Sequence, residues 1–259
     1  MSSSKLGRSE NLDRFWSEQL LAQRETNVHI ESVTRENIRS LQEVKRYPYE
    51  GQLKLSGTFS YDLPGRRGGS HTVRGDYEYR TASGLFLLNT QTDRPRAREV
   101  FDDINNFISE SAEIYDSLSL DRRSIWEFLD NADVIDKLVV RAPEGQYDAT
   151  LLPQLVGRED PITTIEESDL SSFEKEALIS VVNKHDLPES LESIHELDID
   201  WFETSIEEFK AGFWYNKELA EISFKRGSLQ LDADIDIAKE YLLQLFERDV
   251  LFQSNDHEL

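Results

Sequence analysis

The stretch GQLKLSGTFSYDLPGRRGGSHTVRGDYEYRTASGLFLLNTQ, Gly51 to Gln91, decides the architecture. Side chains of an extended chain point alternately to two faces. Leu53, Leu55, Phe59 and Tyr61 fall on one face, and Lys54, Ser56, Thr58 and Ser60 on the other. PGRRGGS is glycine-rich turn chemistry. Beyond it Val73, Tyr77 and Tyr79 gather on one side, with Arg74, Asp76, Glu78 and Arg80 opposite. TASG turns again into LFLLNTQ, which is apolar on both faces and therefore belongs nearer the middle of a sheet. The spacing predicts a three-stranded antiparallel meander. After it Asp93 can cap, Pro95 suits a first helical turn, and Val100, Phe101, Ile104, Phe107 and Ile108 recur at helical spacing.

The last third of the chain repeats this grammar. GFWYN, ELAEISFKR and SLQLDAD read as strands joined by turns at Asn216-Lys217 and Gly227. A helix follows, with Ile237, Tyr241, Leu242, Leu245 and Phe246 as its apolar face. Upstream of the first meander, Leu12, Phe15, Trp16 and Leu20 predict one helix, and Ile38, Leu41 and Val44 behind a capping Thr34 predict a second. VHIESV, between them, suits a short strand or a linker. In the middle, DRRSIWEFLDNA predicts a helix, and DKLVVRA and TLLPQLV short strands. GREDPITTIEESDLSS, polar and interrupted by Pro161, is the best linker candidate. A helix is expected from Leu170 to Lys184, and the Thr204 to Glu207 spacing matches a capping box. The fold class expected is α+β: antiparallel meanders each followed by a packing helix, arranged as two architecturally similar lobes with an N-terminal helical segment. The corresponding segments are residues 1–46, 47–157 and 158–259, which are also compatible with one continuous domain.

Composition narrows the setting. The chain has 259 residues, 51 acidic against 29 basic, a net charge of −22, and no cysteine. It therefore has no disulfide framework, thiol nucleophile or thiolate metal site. No apolar run approaches the roughly 18 residues of a membrane-spanning helix, and MSSSKLGRSE lacks the apolar segment of a secretory signal. These features set the expectation of a cytoplasmic protein without membrane contact. The acidity is dispersed, and only 10 of the 29 basic residues are Lys, so the surface as a whole is anionic. This resembles the salt-adapted composition of cytoplasmic proteins from halophiles. The alternatives are an ordinary acidic protein or an acidic mimic of nucleic acid.

Motifs for catalysis are scarce. His29, His71, His185, His195 and His257 show no zinc-helix spacing. Asp232 to Asp236 opens like a calcium loop, but Ile237 stands where the turn glycine belongs and Leu243 where the closing acid belongs. Ser172 to Lys175 matches a Ser-x-x-Lys pair without companion motifs. Carboxylate pairs such as Asp198 with Asp200 have the chemistry to hold a divalent metal for a phosphodiester enzyme, although a chain with 51 acidic residues produces such pairs by chance. The expectation is no cofactor, no metal and no catalytic residue.

Two surfaces remain as candidates. From Pro64 to Arg98 the chain carries seven Arg and no Lys against Asp76, Glu78 and Asp93, a local excess of positive charge. Arg66, Arg67, Arg74 and Arg80 there form the candidate anion- or nucleic-acid-binding set, since guanidinium forks bind phosphate bidentately. Asp76 and Glu78 on the same face argue for a solvated, self-neutralised surface instead. The second candidate is Phe213, Trp214 and Tyr215. Consecutive rings on a strand point to opposite faces, so Trp214 opposes its neighbours and at least one ring is expected outside the core, either as a partner contact or packed beneath the final helix. The functional expectation is a non-enzymatic accessory or regulatory component that binds a macromolecule, a protein ahead of a nucleic acid. A net charge of −22 also predicts salt dependence, because self-repulsion fades as the Debye length falls from ~10 Å at 0.1 M to ~3 Å at 1 M. The thermal midpoint should rise by at least about 2–4 °C between 0.1 and 2 M KCl, as roughly 1 kcal/mol gives for a chain of this size. A flat or falling midpoint in circular dichroism melts contradicts salt adaptation.

Overall fold

The computed structural model describes residues 2–21, 26–64, 70–90, 96–108, 111–116, 118, 120–142, 145–148, 161–167, 175, 179 and 205–252. Strands are β1 Ser2–Glu10, β2 Val28–Ile30, β3 Thr34–Asn37, β4 Leu53–Pro64, β5 Ser70–Arg80, β6 Leu85–Thr90, β7 Glu113–Tyr115, β8 Val134–Ala142, β9 Gly145–Asp148, β10 Ser205–Tyr215, β11 Glu218–Lys225 and β12 Ser228–Ala233. Helices are α1 Trp16–Leu21, α2 Ala97–Asn105, α3 Arg122–Asp130, α4 Pro161–Glu166 and α5 Asp236–Phe246, and α5 runs on into a π-helical turn, Glu247–Leu251. Among the described residues all twelve strands belong to one sheet, in the order β2-β4-β5-β6-β1-β12-β11-β10-β8-β9, with β3 on β4 and β7 on β1. The chain is mixed α+β, and its pairings are antiparallel.

The strand at the centre is the one the sequence hides. β1 pairs with β6, Leu6 opposite Leu87, and with β12, Leu6 opposite Leu229, so it joins the two meanders into a continuous sheet. A run of serines with one leucine carries no strand signal. At a central position, however, hydrogen bonds from both neighbours fix the backbone whatever the side chains are, and small residues let layers approach from above and below.

Both faces of the sheet are covered, by different elements. Along β6, Leu85 and Leu87 enter one buried cluster and Phe86 and Leu88 the other, so the two clusters lie on opposite faces. On the first face α5 and α3 bury Leu242, Leu243, Phe246 and Phe128 against Phe209, Phe213, Ile222 and Leu231. On the second, α1 and α2 bury Trp16, Val100, Phe101 and Ile104 against Phe59, Tyr77 and Tyr79. Because β1 is antiparallel to both β6 and β12, those two strands run the same way. The first meander thus lies under α1 and α2 on one face and the second under α3 and α5 on the other, with α5 also reaching over the Glu78–Arg80 end of β5.

Several expectations change. The N-terminal segment is not helical as a whole. α1 has only six residues, burying Trp16 and Leu20 while Phe15 stays exposed, and Thr34–Asn37 is strand β3 paired to β4, not a helix start. Ile38 and Val44 are buried nonetheless, on an irregular segment whose turns meet the same three-residue spacing. Pro161 does not interrupt a linker but begins α4, a position that tolerates its missing N–H, and Ile165 of α4 is fully buried. The capping-box spacing at Thr204 gives no helix either, since Ser205–Tyr215 is β10, held by β8 and β11 on its two sides. Ile237, expected inward, is exposed. The expected strand TLLPQLV and nearly all of the helix from Leu170 to Lys184 lie outside the described residues.

Gly7 in β1 shows how tightly the centre is layered. A Cβ there would lie 2.7 Å from the Tyr115 carbonyl oxygen and 3.0 Å from the Phe101 ring of α2. Gly7→Ala is expected to cost about 1–3 kcal/mol through overpacking. Urea unfolding checks this, and a neutral substitution would show that α2 does not press on β1.

Candidate functional site

β5 ends at Arg80, whose side chain is fully enclosed. Its Nε donates to Glu78 at 2.9 Å, Nη1 to Glu247 at 2.8 Å and Nη2 to Glu240 at 2.6 Å. Strand alternation puts Glu78 and Arg80 on one face, and the helix α5 with its π-helical extension brings Glu240 and Glu247 down onto it. Glu247 is also wholly buried and accepts from Gln52 Nε2 at 2.9 Å, from the Ser83 hydroxyl at 2.5 Å and from the Tyr47 hydroxyl. Gln52 Oε1 accepts the backbone N–H groups of Ala82 and Ser83. One helical turn away, Gln244 accepts from the Leu41 N–H and donates to the Arg39 carbonyl and to Glu240. The network thus pins the irregular 38–52 segment between β5 and α5.

Charge follows from this geometry. Burial alone would raise the Glu78 carboxyl, but Arg80, Lys239 at 3.2 Å and Lys54 together outweigh it and hold its pKa at about 2. Burial also works against the Arg80 cation, yet the three carboxylates drive its pKa well above the ordinary value. Burial and the neighbouring Glu247 carboxylate push the Tyr47 phenol upward. Lone charges in such a place are unstable, and hydrogen-bonded, paired ones persist.

Arg80 is therefore removed from the candidate anion-binding set, because every edge of its guanidinium is occupied inside the protein. Arg74 is exposed, and its Nε donates to Glu31 at 3.2 Å across the sheet edge. Lys54 faces Arg80 in the register and pairs with Glu36. Arg66 and Arg67 lie outside the described residues, as do Asp198 and Asp200. Among the described residues, no group of three or more His, Asp or Glu is placed to hold a metal ion. No helix there is long and apolar enough to cross a membrane.

The aromatic stretch at the end of β10 divides as alternation requires. Phe213 is buried, its ring centroid 4.8 Å from that of Phe128. Tyr215 packs against Tyr241 at 4.8 Å and its hydroxyl donates to Glu43 at 3.2 Å. Trp214 points the other way and keeps 49% of its surface exposed. Its backbone N–H is held by the Asp133 carboxylate at 2.7 Å. Leu219 stands opposite it on β11, and the neighbouring position holds Gly212, over which the Leu219 side chain lies, with Val134 exposed on β8 beside them. The result is a small apolar patch on the face away from α5. No protein-family model matches the chain, and no curated protein matches it.

Sequence reasoning missed the Arg80 network although a signal existed. Glu240, Gln244 and Glu247 recur at i, i+4 and i+7, a polar stripe along one side of the last helix. In isolation such a stripe reads as solvated, and only the tertiary packing turns it inward. Arg80→Met should cost about 3–5 kcal/mol near pH 7, the scale of a buried ion pair broken on one side. The penalty should shrink on acidification. In the wild type the folded-state pKa of Glu78 lies below the unfolded value, so its contribution is complete above the ordinary carboxylate range and is lost as pH falls toward about 2. Urea titrations at pH 7 and pH 4 measure both effects, and an equal penalty at the two values contradicts the charge argument.

Proposed function

We propose that this chain is a non-enzymatic accessory or regulatory component that binds a protein partner through the open face of its second meander. The observation that carries this reading is Trp214, a half-exposed indole backed by Leu219 and Val134 on a strand whose backbone is held by both neighbours. Aromatic anchors on rigid strands supply much of the energy of protein interfaces. The partner's chemistry follows from charge: a chain of net −22 repels phosphate and favours a basic polypeptide. The nucleic-acid reading, which relied on Arg66, Arg67, Arg74 and Arg80, is weakened by the enclosure of Arg80 and the Glu31 contact of Arg74. We further place the protein in a salt-rich cytoplasm, and read its two meander-plus-helix halves, mirrored about β1, as architecturally similar units.

Immobilised chain challenged with native lysate in molar KCl should retain a basic protein, which when purified binds this chain directly. Trp214→Ser should weaken that direct binding by about 30-fold or more, the loss expected for an interfacial anchor. Undiminished affinity with an unchanged circular dichroism spectrum removes the Trp214 surface from consideration.

A further inference from the structure

Phe209, Ala211 and Phe213 of β10 enter the core beneath α3 and α5, so Glu208, Lys210, Gly212 and Trp214 lie on the other face of the second meander. Two ion triplets stand there side by side. Lys210 Nζ lies between Asp136 of β8 at 3.0 Å and Glu221 of β11 at 2.6 Å. Two residues along the strand, Glu208 Oε1 lies between Lys137 of β8 at 3.1 Å and Lys225 of β11 at 3.0 Å. The first triplet has one negative charge in excess and the second one positive. Farther across the face, Lys5 of β1 donates to Gln230 of β12, whose amide donates to Asp232 at 3.1 Å, and a cation again balances an anion. Among the described residues, this face therefore sets four of the chain's 10 lysines, Lys5, Lys137, Lys210 and Lys225, against Asp136, Glu208, Glu221 and Asp232. A chain of net −22 is locally neutral there.

Neutrality and order together specify an occupant. Two copies of so anionic a chain repel each other over most of their surface, and a neutral face is where that repulsion is weakest. The order of the triplets does more. Turn a second copy by 180° about an axis in the interface, running across the strands between positions 208 and 210, and the acidic triplet of each copy lies on the basic triplet of the other. The match occurs twice, as a two-fold interface requires. The area is adequate as well. The strands β1, β12, β11, β10 and β8, about 4.8 Å apart, and the eight residues of β11 at about 3.3 Å each outline roughly 600 Å² per copy. A total of roughly 1,200 Å² reaches the lower end of specific interfaces. We infer that two copies of this chain associate face to face through these triplets. Trp214 lies about 13 Å along β10 from Lys210, so the Trp214 of each copy stays outside the paired triplets, at opposite ends of the dimer. The association does not depend on the protein partner proposed above, and it offers that partner two sites.

Sedimentation equilibrium of the full chain tests this in about 0.5 M KCl, where the Debye length lies between ~3 and ~10 Å and distant charges are screened more than charges in contact. The mass should rise with concentration from 30.0 kDa toward twice that value, with a dissociation constant in the micromolar range. Asp136→Lys gives the acidic triplet a positive excess, and Lys225→Glu gives the basic triplet a negative one. The two side chains are 47% and 59% exposed, so both variants should keep the wild-type circular dichroism spectrum. Each alone should dimerise at least about tenfold more weakly than the wild type, because like charges then face each other. Mixed in equal amounts, the two should form a heterodimer of about wild-type affinity, since every triplet of one then opposes a triplet of the other. A wild-type chain that stays monomeric up to about 200 µM, a dimer that neither reversal weakens, or a mixture that associates no better than its components would each overturn the inference. None of these results bears on the Trp214→Ser experiment.

Discussion

The guanidinium of Arg80 is the interaction on which the arrangement rests. It sits where three pieces of chain distant in sequence must meet: the end of β5, the irregular segment through Gln52, and the last helix. Apolar packing would hold those pieces together, but without a fixed register. Directional bonds from one cation to three carboxylates, each further bonded to other groups, permit one relative position of α5 and the sheet. The surrounding network leaves no lone charge, which is why the cluster tolerates complete burial.

The second constraint is the narrowness of the sheet's centre. β1 is flanked by hydrogen-bonded neighbours on both edges and by packed layers on both faces, so its residues must be small where α2 presses and apolar where α5 shares the core. Gly7 and Leu6 meet those demands in turn. Helices on opposite faces leave part of one side of each meander uncovered, and these two sides differ. One is a polar cleft beside Asp76 and Asp236, the other carries Trp214.

Much of the architecture was legible where side-chain alternation was strong. β4, β5, β6, β11 and β12 fall where their hydrophobic pattern put them, as do α2, α3 and α5. The failures share a physical cause. β1 and β3 are polar strands made by their neighbours' hydrogen bonds, a constraint that no local pattern records, and the three-residue spacing of Ile38, Leu41 and Val44 is met by turns as well as by a helix. The split of Phe213, Trp214 and Tyr215 was readable because alternation alone decides it. The fate of Arg80 was not, since a charged strand face looks the same in sequence whether water or a helix lies over it.

The position of β1 bears on how the chain reaches its native state. Lys5 contacts Gln230 across 225 residues, so the first strand to be made waits for nearly the last before the middle of the sheet can close. Contacts of such long range are slow to form. Until then β1 can pair with β6 on one side only, and its other edge stands open, an edge that the like charge of an anionic chain discourages from pairing with a neighbouring molecule.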